Sequence, residues 1–290
     1  MHDHLHFVDA TSVEPKLLSE VAVTRVICEG SSVGGVASLG DDVFVVRQHS
    51  QQIEVYDAVN FAQKRHLTVP ELGSRPFSLA VCSSNDCLYA PNYDKNCVHR
   101  VELSGSNAVI TWTVASKPGG LMVNRARNLL VVSQGECKLQ LFTTRGTLLQ
   151  NIPLQPDGCP VHAISLASGQ FVVSNGIPLH CICLVDDKGA VIRSYRGEEG
   201  SQMMKISHPP GVAVDKRGNI LVANQLSRSL LVLDRSLTSV HEMSVSVDGG
   251  LKGPFSLWYD KSRGRLHIGE WQGGRVIVVH PLKDFSASPD

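Results

Sequence analysis

Short apolar runs separated by turn residues cover almost the whole chain, and one of them returns six times at a near-constant interval. Each copy is a small or turn residue, two spacers, then alternating apolar positions. The copies read Val33-Gly-Gly-Val-Ala-Ser38, Pro76-Phe-Ser-Leu-Ala-Val81, Pro118-Gly-Gly-Leu-Met-Val123, Pro160-Val-His-Ala-Ile-Ser165, Pro209-Pro-Gly-Val-Ala-Val214 and Pro254-Phe-Ser-Leu-Trp-Tyr259. Their starts lie 43, 42, 42, 49 and 45 residues apart. A period of two sends alternate side chains to opposite faces of a strand, and runs of this length bounded by Gly, Asn, Asp and Pro read as strands. In the fifth copy, Gly211–Val214, Ile220–Ala223, Ser229–Asp234 and Val240–Val247 read as four successive strands, the last with a slip in its alternation. Turns fall at Asp215-Lys-Arg-Gly-Asn219, Arg145-Gly146, Lys188-Gly189 and Gly273-Gly274. No segment carries a helical period.

Four short strands in a unit of that length is the repeat of a propeller blade. The expected fold is therefore all-β, a six-bladed β-propeller of four-stranded antiparallel blades. The sixth copy supplies only three strands, ending at Val276–His280. The missing strand is expected from the other end of the chain, where Ser19–Ile27 alternates like the fourth strands elsewhere. Pairing the two ends removes two open sheet edges that would otherwise invite aggregation. The expected organisation is a polar segment over 1–18, one propeller over 19–282 and a tail over 283–290.

The chain of 290 residues has 27 basic and 27 acidic residues and no net charge, which gives no general electrostatic footprint for nucleic acid or anionic membrane. No apolar stretch is long enough to span a bilayer. Met1-His-Asp-His-Leu-His6 lacks the basic and apolar regions of a signal peptide, so the expected compartment is the cytoplasm. Of eight cysteines, Cys97, Cys137 and Cys181 read as equivalent positions in successive repeats, replaced later by Ser229 and Arg275. Such positions lie too far apart around a ring for one metal cluster. Cys82 and Cys87 flank a tight turn, and Cys181 and Cys183 share one face of a strand. Reduced thiols are the expectation.

The fifth and sixth copies carry more than a blade pattern. Pro209-Pro-Gly-Val-Ala-Val-Asp-Lys-Arg-Gly-Asn-Ile-Leu-Val-Ala-Asn224, continued by Leu-Leu-Val-Leu-Asp234, resembles the NHL repeat, as does Tyr259-Asp-Lys-Ser-Arg-Gly-Arg-Leu-His-Ile-Gly-Glu270, continued by Arg275-Val-Ile-Val-Val279. The resemblance implies an acid at the end of the second strand and an arginine opening the third. Glu270 and Arg275 match, with a blade-stabilising salt bridge implied between them. Arg47, Asn92, Gln134, Asn175 and Asn224 replace the acid in the other copies, and Arg228 is the nearest counterpart of the arginine. NHL propellers often form the C-terminal part of tripartite-motif ubiquitin ligases and bind protein or RNA on one face. The zinc-spaced clusters and heptads of their upstream segments are not in this sequence. A stand-alone propeller and a piece of a longer chain both fit.

The second-strand exits, Arg47, Asn92, Gln134, Asn175, Asn224 and Glu270, should converge around one end of the channel. A ring of donors and acceptors there suits recognition of a peptide, carbohydrate or nucleotide edge. The same residue types also satisfy turn backbone, and both readings stand. On that face nine bases, among them Arg75, Lys95, Arg228 and Arg275, meet nine acids, so no broad phosphate-neutralising surface is expected. RNA binding stays open but is not indicated by charge. Tyr93 and Trp271 are the aromatics of that face and favour a protein partner. No cofactor is expected. A metal-dependent hydrolase or lyase on the same scaffold is the alternative. It would need oxygen or imidazole ligands in the channel, where Gly35, Ser78, Gly120, His162, Gly211 and Ser256 offer one histidine and no carboxylate. His2, His4 and His6 make at most an incidental metal-binding tract. The expanded connection Gly197–Ile206 carries Met203 and Met204, suited to rim packing or to an adaptable contact.

Overall fold

The structure, a computed structural model, describes residues 21–27, 30–155, 158–197 and 204–279. Five sheets hold four strands each and a sixth holds five. The first strands are Val33–Leu39, Ala80–Cys82, Pro118–Val123, Pro160–Ser165, Val212–Val214 and Pro254–Asp260. Each pairs antiparallel with a second strand: Asp42–Arg47, Cys87–Asn92, Leu129–Ser133, Phe171–Asn175, Ile220–Asn224 and Arg265–Glu270. Third strands follow at Gln52–Asp57, Cys97–Glu102, Lys138–Phe142, Cys181–Val185, Ser229–Leu233 and Val276–Val279. First strands of neighbouring blades touch all the way round, and the sixth returns to the first. This is the six-bladed propeller that the repeat predicts.

Six apolar clusters fill the six wedges between adjacent blades. Alternation is what builds them: Leu266 and Ile268 face the wedge toward blade 5, while Val276 and Val278 face the wedge toward blade 1. Each fully buried Leu, Ile or Val is worth about 1.5–3 kcal/mol relative to exposure. Hairpin turns are set by aspartates. Asp215 Oδ1 accepts the amides of Arg217 and Asn219 at 2.8 Å each, with Gly218 at φ +87° closing the turn.

Val21–Ile27 completes blade 6, antiparallel to Val276–Val279, as the incomplete sixth copy requires. The fourth strand of blade 5 differs from expectation. It ends at Met243, and after Ser244 the short strand Val245–Ser246 leaves its blade to pair in parallel with Val21 and Ala22. The slip in alternation is thus a break between two strands. The N-terminal strand is held on both sides, which covers the sheet edge at the closure. Among the described residues no helix is long and apolar enough to cross a membrane.

Candidate channel-mouth site

Strand pairing sets the true ring of second-strand exits. Arg47 lies opposite Val33, Ser133 opposite Pro118, Asn175 opposite Pro160 and Glu270 opposite Pro254. Gln134 therefore stands one residue beyond the ring, at the start of a 3₁₀ turn over Gln134–Glu136, and Ser133 takes the place expected for it. The same shift makes Lys138, not Cys137, the equivalent of Cys97 and Cys181. The residue before the third strand turns through the left-handed region at Asn96, Cys137, His180 and Arg228 (φ 52°, 46°, 44° and 53°), so Cys137 occupies a hinge. Arg228 is another such hinge and is exposed, while Ser229 takes the place equivalent to Arg275.

Four of the ring residues, Arg47, Asn92, Asn224 and Glu270, are committed to the protein's own loops. Glu270, fully buried, accepts Arg275 Nε at 2.6 Å and the Lys252 amide at 2.6 Å. Arg275 also donates to the carbonyls of Asp248 (2.9 Å) and Gly250 (2.7 Å), so the pair fastens the blade 5–6 connection. Asn224 does the same one blade earlier, donating to Lys205 O at 3.0 Å and accepting Ser207 N at 2.6 Å. Asn92 donates to Glu71 O and accepts the amides of Asp94 (3.1 Å) and Lys95 (3.0 Å). Arg47 donates to Ser31 O and Gly274 O at 2.7 Å each and pairs with Glu54 at 2.8 Å. Asn175 turns its amide toward the sulfurs of Cys181 and Cys183. Buried polar groups need such partners, and the inter-blade loops supply them.

The next position faces outward. There Tyr93 and Trp271, both half-buried, join Phe77 and Phe255 in one aromatic cluster. Ring centroids are 5.3 Å apart for Phe77–Tyr93, 6.1 Å for Phe77–Trp271, 6.1 Å for Phe77–Phe255 and 4.7 Å for Phe255–Trp271. The Arg75 guanidinium lies 4.6 Å from the Tyr93 centroid while donating to Asp94 at 2.6 Å. Phe77 and Phe255 belong to blades 2 and 6, and blade 1 between them carries Gly34. A Cβ there would run into Pro76 O and Gln48 Nε2, so glycine is what lets the neighbouring strands approach. The equivalent first-strand positions of blades 3, 4 and 5 are Gly119, Val161 and Pro210, so the aromatic character is confined to one sector of the mouth. Sequence reasoning missed Phe77 and Phe255. Their signal was the identical Pro-Phe-Ser-Leu at 76–79 and 254–257, with Gly-Gly in the copy between.

Charge around the cluster is internally paired: Arg75–Asp94 at 2.6 Å, Lys95–Glu71 at 2.7 Å and Lys138–Glu136 at 2.7 Å. The hydrogen bond from Arg75 holds the Asp94 carboxyl below the usual range, and that from Lys95 does so for Glu71. Of the expanded connection, residues 198–203, Met203 included, lie outside the described residues. Met204 packs against the blade 4–5 core, and its carbonyl accepts Tyr195 Oη at 2.7 Å.

Below the mouth, glycine and polar residues alternate around the channel: Gly35, Ser78, Gly120, His162, Gly211, Ser256. Ser78 Oγ accepts the Leu121 amide at 3.1 Å and Ser256 Oγ accepts the Val36 amide at 3.0 Å, each linking its blade to the next. Burial pushes the His162 imidazole down to about 4, which keeps it neutral, and its Nδ1 has no partner among the described residues. A cavity of about 320 Å³ runs along these groups, walled by Leu121, Met122, Ile164 and Trp258. Among the described residues no three His, Cys, Asp or Glu side chains gather as a metal would require.

No family model matches the chain. Among curated proteins it is similar to Protein brain tumor of Drosophila melanogaster, 23% identical over 140 residues. That match takes in 45% of this chain and only 13% of that protein's length. Solved structures of the same shape include virginiamycin B lyase from Staphylococcus aureus, an inactive variant with quinupristin (TM-score 0.63, 13% identical, 89% of this chain and 87% of that one). A streptogramin B lyase structure (TM-score 0.64, 12% identical) covers 86% of this chain and 80% of its own. A WD40 β-propeller domain (TM-score 0.61, 13% identical) covers 91% and 97%. Identities this low define the fold class, a β-propeller, and nothing of its chemistry.

Proposed function

We propose that this propeller is a non-catalytic binding module that recognises a protein partner through the aromatic sector of its channel mouth. The observation that carries the reading is the half-buried cluster of Phe77, Tyr93 and Trp271 over Phe255, flanked by the Arg75–Asp94 pair. Large rigid aromatics beside an arginine are the residues that dominate protein interfaces. Tyr93 and Trp271 make the contact; Arg47, Asn92, Asn224, Glu270 and Arg275 fix the loops that present them. The likeness to Protein brain tumor and the NHL character of blades 5 and 6 support the same reading. We extend the proposal to a cytoplasmic substrate selector in a ubiquitin-ligase setting, with the transfer chemistry done elsewhere, as the NHL resemblance implies. RNA is the weaker partner, because Arg75 and Lys95 beside the cluster are paired with acids. A hydrolase or lyase is weaker again, since the channel ring offers two hydroxyls and one neutral imidazole.

The test is quantitative affinity capture from ribonuclease-treated extract with the wild-type chain, Trp271→Ala and Phe77→Ala. The reading expects a common set of proteins depleted in both variants. Capture that is identical in all three, or that vanishes with ribonuclease, would overturn it.

A further inference from the structure

Cys181 and Cys183 alternate along the third strand of blade 4 and face the wedge toward blade 3, among Val173, Val185 and Leu139. Their sulfurs are 3.6 Å apart. The Asn175 amide donates to both, at 3.7 and 3.4 Å. A cavity of about 130 Å³ lies against the pair, walled by Leu154, Leu179, Val191, Ser194 and the Arg196 side chain. Two sulfurs thus share a hydrogen bond, an amide donor and an adjoining cavity, which plain core cysteines do not need.

Strand geometry says what fits between them. Residues two apart on a strand lie about 6.7 Å apart at Cα, the far end of the span of about 4.4–6.8 Å that a disulfide tolerates. A direct S–S bond would bend the strand; one atom inserted between the sulfurs would not. Soft thiolates select copper(I), which two sulfurs satisfy, whereas zinc needs four ligands and no third His, Cys, Asp or Glu joins the pair among the described residues. We propose that Cys181 and Cys183 form a two-sulfur site for a single copper(I) ion, entered from the cavity beside Arg196. On binding, two S–H bonds break, two S–Cu bonds form and both protons pass to solvent. Copper stays monovalent and no electron moves. The bis-thiolate complex carries one negative charge, which the Asn175 amide, already directed at both sulfurs, solvates.

The site is in a different part of the ring from the aromatic sector, so it stands or falls apart from the proposed partner. The test is anaerobic titration of the purified full chain with copper(I) held by bicinchoninate, a coloured competing chelator. The chain should withdraw one copper(I) per molecule. Cys181→Ser and Cys183→Ser should each weaken this by at least the roughly 100-fold that losing even an outer partner can cost a metal site, while Cys137→Ser and Cys159→Ser leave it unchanged. X-ray absorption of the loaded wild-type chain should count two sulfurs around the copper, a readout that needs no variant to fold. No copper withdrawn, undiminished affinity in the double serine variant, or three or more sulfurs around the metal would each overturn the proposal.

Discussion

Asn92 and Tyr93 are neighbours in sequence, and so are Glu270 and Trp271, yet the first of each pair is buried and the second is half-exposed. The inner residues face chain segments whose backbone groups must be satisfied, so their amides and carboxylates hold the inter-blade connections. The outer residues have no such neighbour and collect instead into an aromatic surface. Polar side chains at a repeat position therefore hold the scaffold of this mouth, and the apolar residues beside them form the surface proposed here for contact. On that proposal, the polar ring supports and the apolar residues recognise.

The sharpest way to break that comparison is Glu270→Ala. It leaves Arg275 buried beside an empty place, and losing one partner of a buried pair costs about 3–5 kcal/mol. The expected result is a lowered urea midpoint with little change in partner affinity per folded molecule; an unchanged midpoint would place Glu270 in the contact surface instead. On the other side of the comparison, Trp271→Ala or Phe77→Ala should weaken partner binding by about 2 kcal/mol or more, roughly 30-fold, with a smaller effect on the midpoint.

Acid should act on the interior and spare the mouth. His162 is half-buried in the channel and His267 is buried in blade 6; each has a ring nitrogen without a hydrogen-bond partner among the described residues, and burial lowers both to about 4 from 6.5. Between those values the unfolded chain binds protons that the folded chain refuses, so stability is full above pH 6.5 and falls as pH drops toward 4. The loss should reach about 2 kcal/mol per histidine by pH 5. His162→Gln and His267→Gln should each flatten the dependence of the urea midpoint on pH; an unaltered slope would refute the assignment. The smallest expected effect is at Asn92→Ala and Asn224→Ala. Each removes one loop fastening, for about 1–2 kcal/mol, and hydrogen exchange should quicken at 71–75 or 205–208 before anywhere else.

Much of the fold was legible because each blade repeats a local instruction: turn residue, alternating strand, tight turn, strand. The closure was legible too, since a sixth copy with three strands leaves one edge open. What escaped depended on register or on distance. Gln134 was displaced by one residue because the left-handed hinge at Cys137 cannot be located from side-chain pattern alone. Val245–Ser246 read as the end of its own blade because both strands are apolar and their separation depends on a partner more than 200 residues away. The proposed contact surface was half visible. Trp271 and Tyr93 stood out as aromatics after strand ends, but Phe77 and Phe255 looked like ordinary first-strand residues. Only ring closure brings blades 2 and 6 to either side of Gly34.

The most direct test of the account is site-specific photocrosslinking in cells with a benzophenone side chain at Tyr93, and separately at Leu149 on the exposed outer strand of blade 3. The account predicts discrete protein adducts from position 93 that resist ribonuclease, disappear when Phe77→Ala is added and have no counterpart at position 149. Equal adducts from both positions, or adducts at 93 that survive Phe77→Ala, would contradict it.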